Sequence, residues 1–279
     1  MPQPIELSGL WRRSLIRWPD GRSDATTWVR WMQTPSVFVD LRQPANRPDF
    51  SQVRCLRDLD REEVRWMASQ EGFAGDTLFD GVLCEWRRQI DFQPVSACAD
   101  AGRLWFEGMI LVEEGRDIPY IEHWHRDQEA PRPCAGLALR DDTTGQLGMI
   151  VRTGDEFMYA RARPGSLPPA RTLSELLADV PALRDAQDLV DCEISFGDIG
   201  PDGWRIRHSS LPFKEGLEFE FRGGVSAGGM RNADIAPDGS ARERCWQITR
   251  IEGGVVALMS PPHPHAGAVD GRRSGTKRV

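Results

Sequence analysis

The run Tyr120-Ile-Glu-His-Trp-His-Arg126 holds the densest set of reactive side chains in the chain. Side chains of a strand alternate between faces, so Tyr120, Glu122, Trp124 and Arg126 share one face and Ile121, His123 and His125 the other. The first face carries the parts of an acid–base site: Tyr120 as donor, Glu122 as base, Arg126 as anion clamp and Trp124 as wall. The second carries an H-x-H pair, a spacing at which one strand can supply two metal ligands. No suitably spaced Glu or His supplies a third, so no metal and no other cofactor is expected. His123 stays with Glu122 and Tyr120 among the residues expected to move protons. The plainer alternative is a polar face that meets solvent.

A second pattern joins Trp to Arg. It occurs as Trp11-Arg12-Arg13 and Trp86-Arg87-Arg88, and more loosely as Trp28-Val-Arg30-Trp31. The two arginines of a pair must take opposite faces of a strand. An inward guanidinium beside an indole would suit a planar or anionic ligand, through cation–π contact and bidentate carboxylate recognition. The residues expected to line such a pocket are Trp11, Arg13, Trp28, Arg30, Trp86, Arg88, Trp124 and Arg126. The alternative is a charged outer face over an apolar interior. His208 reads as a hydrogen-bonded structural histidine. The sequence has no G-x-S-x-G, Walker A or H-E-x-x-H motif, and Gly223-Gly224 and Gly228-Gly229 read as a flexible connection.

The elements that must position these residues are mostly strands. Runs rich in aromatic and β-branched residues span 9–18, 26–33, 36–42, 83–92, 103–113 and 120–126, then 135–140, 145–152, 156–163, 189–197, 204–208, 216–222, 244–251 and 255–259. In 36–42, Val37, Val39 and Leu41 fall on one face and Phe38, Asp40 and Arg42 on the other. Asp60 is placed to cap a short helix through Ser69, and Thr172 with Glu175 forms a capping-box signature for a second, ending near Asp179. Residues 263–279 lack periodicity and are expected to be a disordered tail.

Bulk properties narrow the function. The chain has 279 residues and a formal charge of -7, so no nucleic-acid partner is expected. Removing Lys214 and Lys277 from 35 basic residues leaves 33 Arg, a bias that a high-GC genome explains. No apolar stretch approaches the roughly 18 residues of a membrane span, and no signal peptide is read, so a cytoplasmic protein is expected. Six dispersed Cys then read as reduced, mostly buried thiols.

The two halves share an order of elements: a strand trio, a short helix, then further strands. Gly9-Leu10 falls opposite Gly136-Leu137, and Cys84-Glu85 opposite Cys192-Glu193. Gly9-Leu10-Trp11 is similar to the G-x-W signature of lipocalin-like barrels, in which the Trp closes one barrel end. With the repeated all-β order, the chain resembles the tandem lipocalin-like proteins over roughly residues 5–260. In the second copy Ala138 replaces the Trp. The resemblance implies an all-β fold of two tandem antiparallel barrels, 1–130 and 131–262, each with one short helix. It supplies no catalytic set. The expected function is binding of a small molecule in the N-terminal barrel, where eight of the 10 Trp lie. The alternatives are a cofactor-independent isomerase, cyclase or lyase, and a protein–protein interaction module with filled barrels.

Overall fold

The computed structural model describes residues 7–80, 83–127, 133–224 and 229–259. Nine strands form the first sheet: β1 (Gly9–Arg17), β2 (Ser23–Asp24), β3 (Trp28–Gln33), β4 (Val37–Gln43), β5 (Glu71–Phe79), β6 (Cys84–Asp91), β7 (Asp100–Glu107), β8 (Ile110–Gly115) and β9 (Ile121–Arg126). β1 pairs with both β3 and β9. The eight strands β1 and β3 to β9 therefore close into an antiparallel barrel, with β2 a two-residue extension on β1. Closure gives each of the eight strands a neighbour on both sides, although β6 meets β7 only through Cys84–Trp86.

The second sheet contains β10 (Cys134–Asp141), β11 (Leu147–Thr153), β12 (Glu156–Arg161), β13 (Glu193–Gly200), β14 (Gly203–Ser209), β15 (Phe221–Gly224), β16 (Gly229–Ile235) and β17 (Ala241–Glu252). Its order is β14-β13-β12-β11-β10-β17-β16-β15, a curled half-barrel. Its two ends approach each other. Residues 216–219, which lead into β15, bond to β14 through Gly216 N to Ile206 O at 2.8 Å, Ile206 N to Leu217 O at 3.0 Å and Phe219 N to Trp204 O at 2.9 Å.

Helices fill the connections after the third long strand of each sheet. α1 (Arg61–Met67) is capped by Asp60, whose side chain accepts from Glu62 N and Glu63 N, while Asp60 N donates to Glu63 Oε2. Such a cap stabilises a helix by about 0.5–2 kcal/mol. Thr172 caps α2 (Leu173–Ala178). The second half holds more than the one helix expected, because α3 (Leu183–Leu189) follows Pro181, and residues 255–259 form α4 (Val255–Met259) rather than a strand.

Other differences have local causes. β5 carries Gly72, Gly75 and Asp76, residues that weaken a strand signal, and so escapes a propensity reading. The run 103–113 is two strands, folded at Gly108 with φ of +63°. β16 was not expected, and Gly223, Gly224 and Gly229 lie in the β15–β16 pair rather than in a free connection. The order of elements matches between halves, but the Cys alignment slips by one strand. Cys84 opens the second strand after the helix, whereas Cys192 precedes the first. The expected tail and the expected domain boundary at 130/131 lie outside the described residues.

One apolar core joins the two sheets. Val37, Val39 and Leu41 of β4 point out of the closed barrel and pack with Met149, Val151, Met158, Ala160 and Ile194 of the second sheet. Polar contacts ring this core. Glu252 accepts from Thr34 Oγ1 at 2.5 Å and Ser36 Oγ at 3.2 Å, and Arg47 forms a two-pronged pair with Glu215 at 2.8 Å on each prong. The insides of the closed barrel and of the half-barrel are separate cores. Trp11, Trp31, Trp86 and Trp124 fill the first, with Phe38 and Phe73, and Phe157, Tyr159, Phe219 and Trp246 dominate the second.

Candidate functional site

The inward face of β4 begins the site. Because Val37, Val39 and Leu41 face the inter-sheet core, period-two alternation turns Phe38, Asp40 and Arg42 into the closed barrel. β9 faces Glu122 and Trp124 inward, and the β1 bulge between Arg13 and Leu15 leaves Arg13 beside them. Glu122 Oε1 accepts from Arg13 Nη1 at 2.6 Å and Arg42 Nη1 at 3.3 Å, while Arg42 Nε donates to Asp40 Oδ1 at 2.9 Å. Glu122 is only 1% exposed, and its Oε2 has no hydrogen-bond partner. Arg42 also lies over the rings of Phe73 and Trp124, at 5.0 and 5.9 Å.

Glu113 on β8 makes a second cluster. It accepts from Tyr120 Oη at 2.6 Å and Trp124 Nε1 at 3.0 Å. Gly115 makes room for this pair, since a Cβ there would lie 2.5 Å from the Tyr120 ring. Burial, then the negative charge of Glu122, pushes the Glu113 carboxyl up to about 8. Burial likewise raises Asp40 to about 6, against the pull of Arg42. Burial and the Glu113 charge push the Tyr120 phenol up, so it stays a donor. Burial opposes the charge on Arg42, but Asp40 and Glu122 hold it firmly cationic. Two carboxyls that titrate near neutral pH lie in one barrel, an arrangement found often at functional sites.

The floor opens into a cleft of about 910 Å³ at one end of the barrel. On the barrel side its lining includes Ile16, Trp18, Arg42, Trp86, Arg88, Asp91, Asp100, Tyr120 and Glu122. The opposite wall comes from the second sheet: Gln146, Leu147 and the connection 162–169. Arg88 is held by Asp100 at 2.8 Å and Asp91 at 3.1 Å, with its guanidinium 3.5 Å from the Phe73 ring centre. Arg163 Nη2 donates to Phe92 O at 2.6 Å, and Leu173 N donates to Gln93 Oε1 at 2.8 Å, tying the two walls together.

The interior offers almost no free volume. Trp31 stacks on Trp11 at 5.7 Å and meets Trp86 and Trp124 edge-on at 5.6 and 5.4 Å. The void among Trp31, Asp40, Asp100 and Glu113 is about 10 Å³, the limit for one water molecule. Aromatic packing, rather than an empty cavity, occupies an eight-stranded interior.

The residues picked out from the sequence therefore divide. Trp86, Arg88, Tyr120 and Glu122 line the cleft, with Arg13 paired to the Glu122 carboxylate and Trp124 under the Arg42 guanidinium. Trp11 and Arg126 lie together elsewhere: the Trp11 Nε1 donates to Leu7 O at 2.7 Å, and the Arg126 guanidinium sits 4.5 Å from the Trp11 ring centre. Trp28 and Arg30 point outward. Trp28 stacks on His208 at 4.0 Å, and Arg30 pairs with Asp127 at 3.4 Å. His123 and His125 take the outer face, where His125 Nε2 meets Ser14 Oγ at 2.9 Å, so His123 does not face the cleft. Among the described residues no group of three His, Cys, Asp or Glu side chains is arranged to hold a metal ion. Among the described residues no helix is long and apolar enough to cross a membrane, and Cys55, Cys84 and Cys192 are buried free thiols while Cys98 is exposed.

Sequence reasoning missed Asp40, Arg42, Asp91, Asp100 and Glu113. The available signal was the charged face of β4 opposite a wholly aliphatic one. The second-sheet wall gave no signal, because only the docking of the two sheets brings it to the cleft.

Comparison with known proteins adds little. The chain matches no protein family and no curated protein. It is similar in structure to the uncharacterized protein YLR301w of Saccharomyces cerevisiae, at 10% identity and a TM-score of 0.46, over 87% of this chain and 98% of the other.

Proposed function

We propose that the protein binds a small molecule in the cleft at the mouth of the closed barrel. The observation that carries this reading is the cleft of about 910 Å³ beside the buried Glu122 carboxylate, whose Oε2 has no partner. That volume suits a compact organic ligand. Ile16, Trp18, Trp86 and Leu147 offer apolar wall, and the carboxylate–guanidinium floor offers orientation. Because the interior is filled, the ligand sits at the mouth rather than among the Trp side chains. A planar body against Trp18 or Trp86 fits this placement, whereas an anionic head finds Arg42 and Arg88 each already held by two carboxylates. The reading places the protein in the cytoplasm and treats its halves as lipocalin-like units in tandem.

Ser166 is an exposed residue of the cleft lining, so Ser166→Trp narrows the cleft without disturbing a core. Native mass spectrometry should find a small molecule on the wild-type chain, or one from a metabolite mixture, and not on Ser166→Trp. If neither an adduct nor any change in Trp fluorescence follows from such a mixture, the reading fails.

A second reading is catalysis without a cofactor, favoured by Glu113 at about 8 and Asp40 at about 6. Glu122 would accept a proton from a bound substrate, and Tyr120 with Glu113 would supply one. Turnover abolished in Glu122→Gln with ligand affinity retained would favour it over simple binding.

A further inference from the structure

Resting on the cleft as a binding site, we infer that its ligand presents a hydrogen-bond donor, an ammonium or a hydroxyl, to Glu122 Oε2. The first argument is the charge of the lining. Five carboxylates face it, Glu71, Glu85, Asp91, Asp100 and Glu122, against the four guanidiniums of Arg42, Arg87, Arg88 and Arg163. The arginines are already engaged: Arg87 by Glu85, Arg88 by Asp91 and Asp100, Arg42 by Asp40 and Glu122, and Arg163 by the Phe92 carbonyl. An anionic head would have to displace one of these pairs and would add charge to an acidic lining.

The second argument is hydrogen-bond satisfaction. Buried polar atoms in proteins are nearly always paired, so an orphan on a cleft-lining residue is a place where a ligand atom can complete the set. Among the described cleft residues two side-chain atoms are buried without a partner, Glu122 Oε2 and Arg163 Nε. Glu122 Oε1 is saturated by two guanidiniums, which orient the carboxylate and leave Oε2 for a donor. Arg163 lies on the opposite wall and asks for an acceptor farther along the same ligand. The preferred molecule is an apolar body with a donor at one end and an acceptor part-way along it.

The test uses three probes that share a dansyl group and a five-carbon chain and end in ammonium, hydroxyl or carboxylate. The sulfonyl group offers the same acceptor to Arg163 in each, so only the head differs. Trp18 and Trp86 line the cleft and report binding by energy transfer to the dansyl group. In the wild-type chain at pH 7 the ammonium probe should bind at least about tenfold more tightly than the carboxylate, with the hydroxyl between. Glu122→Gln should bring that ratio close to one. A carboxylate probe that binds as tightly as the ammonium overturns the donor inference and leaves the cleft reading standing. Binding of every probe weaker than about 1 mM overturns the cleft reading and the inference with it. The wild-type comparison decides the matter even when Glu122→Gln fails to fold, which circular dichroism would reveal.

Discussion

Replacing Arg13 by Met probes how the barrel tolerates a carboxylate at its floor. Arg13 Nη1 lies 2.6 Å from Glu122 Oε1, with the two side chains 7% and 1% exposed. Removing one partner of such a pair costs about 3–5 kcal/mol, because the remaining charge stays buried. Arg42 Nη1 remains at 3.3 Å from Glu122 and offsets part of that cost, although Asp40 also claims it. The contact of Arg13 with Asp24 at 3.5 Å is partly exposed and adds at most about 0.2–1 kcal/mol. Met keeps the apolar stem packed, so little cavity forms. The expected loss is about 2–4 kcal/mol. The double variant Arg13→Met/Glu122→Leu removes both charges and should recover much of it, giving a coupling of roughly 0.5–3 kcal/mol. Urea unfolding followed by Trp fluorescence at pH 7 measures both, with the slope against urea unchanged. A single variant that loses less than about 1 kcal/mol, or a double whose loss is the sum of the two singles, would refute the reasoning.

Three further outcomes follow from the geometry. Glu113 is raised from 4.5 to about 8, so the folded chain keeps a proton that the unfolded chain releases across that window. Stability should therefore fall as pH rises from 4.5 toward 8, and Glu113→Gln should flatten this slope; equal slopes in urea titrations between pH 5 and 9 would exclude it. A Cβ on Gly72 would lie 2.7 Å from Ile194 Cδ1 and 3.0 Å from Asp40 O, so Gly72→Ala should cost about 1–3 kcal/mol, and adding Ile194→Val should return part of it in thermal melts. Trp28 stacks on His208 at 4.0 Å and meets Phe196 at 5.8 Å across the two sheets, so Trp28→Ala should destabilise by about 2–4 kcal/mol; a loss within about 0.5 kcal/mol in chemical denaturation would show that this contact does not hold the sheets together.

Local sequence determined which residues could become strand faces. The alternation in Tyr120 to Arg126 and in Val37 to Arg42 follows from the extended backbone alone, and Asp60 and Thr172 announce their helices through hydrogen bonds within one turn. Local sequence could not say which face of a strand looks inward. Trp28 and Trp31 belong to one run, yet Trp28 meets the second sheet and Trp31 the barrel interior. For β4 the aliphatic face packs outside the barrel and the charged face inside, opposite to the usual expectation, because the second sheet supplies a larger apolar partner than the barrel interior does. β5 shows the same limit. Gly72 and Gly75 weaken its propensity, and only the approach of Ile194 and of the Arg87 carbonyl explains why no larger residue stands there.

The chemistry was determined by the chain as types of residue, the carboxylates, guanidiniums and indoles, and by the fold as neighbours. Arg13, Arg42 and Glu122 are 29 and 80 positions apart along the chain, so no spacing rule joins them; barrel closure between β1 and β9 does. The pKa of Glu113 depends on burial and on the Glu122 charge across the β8–β9 pair, neither of which exists in the extended chain. The cleft required a further step, the docking of residues 162–169 against the barrel mouth. A sequence fixes local backbone preference because those interactions span a few residues, whereas a pocket is the space left when distant surfaces meet.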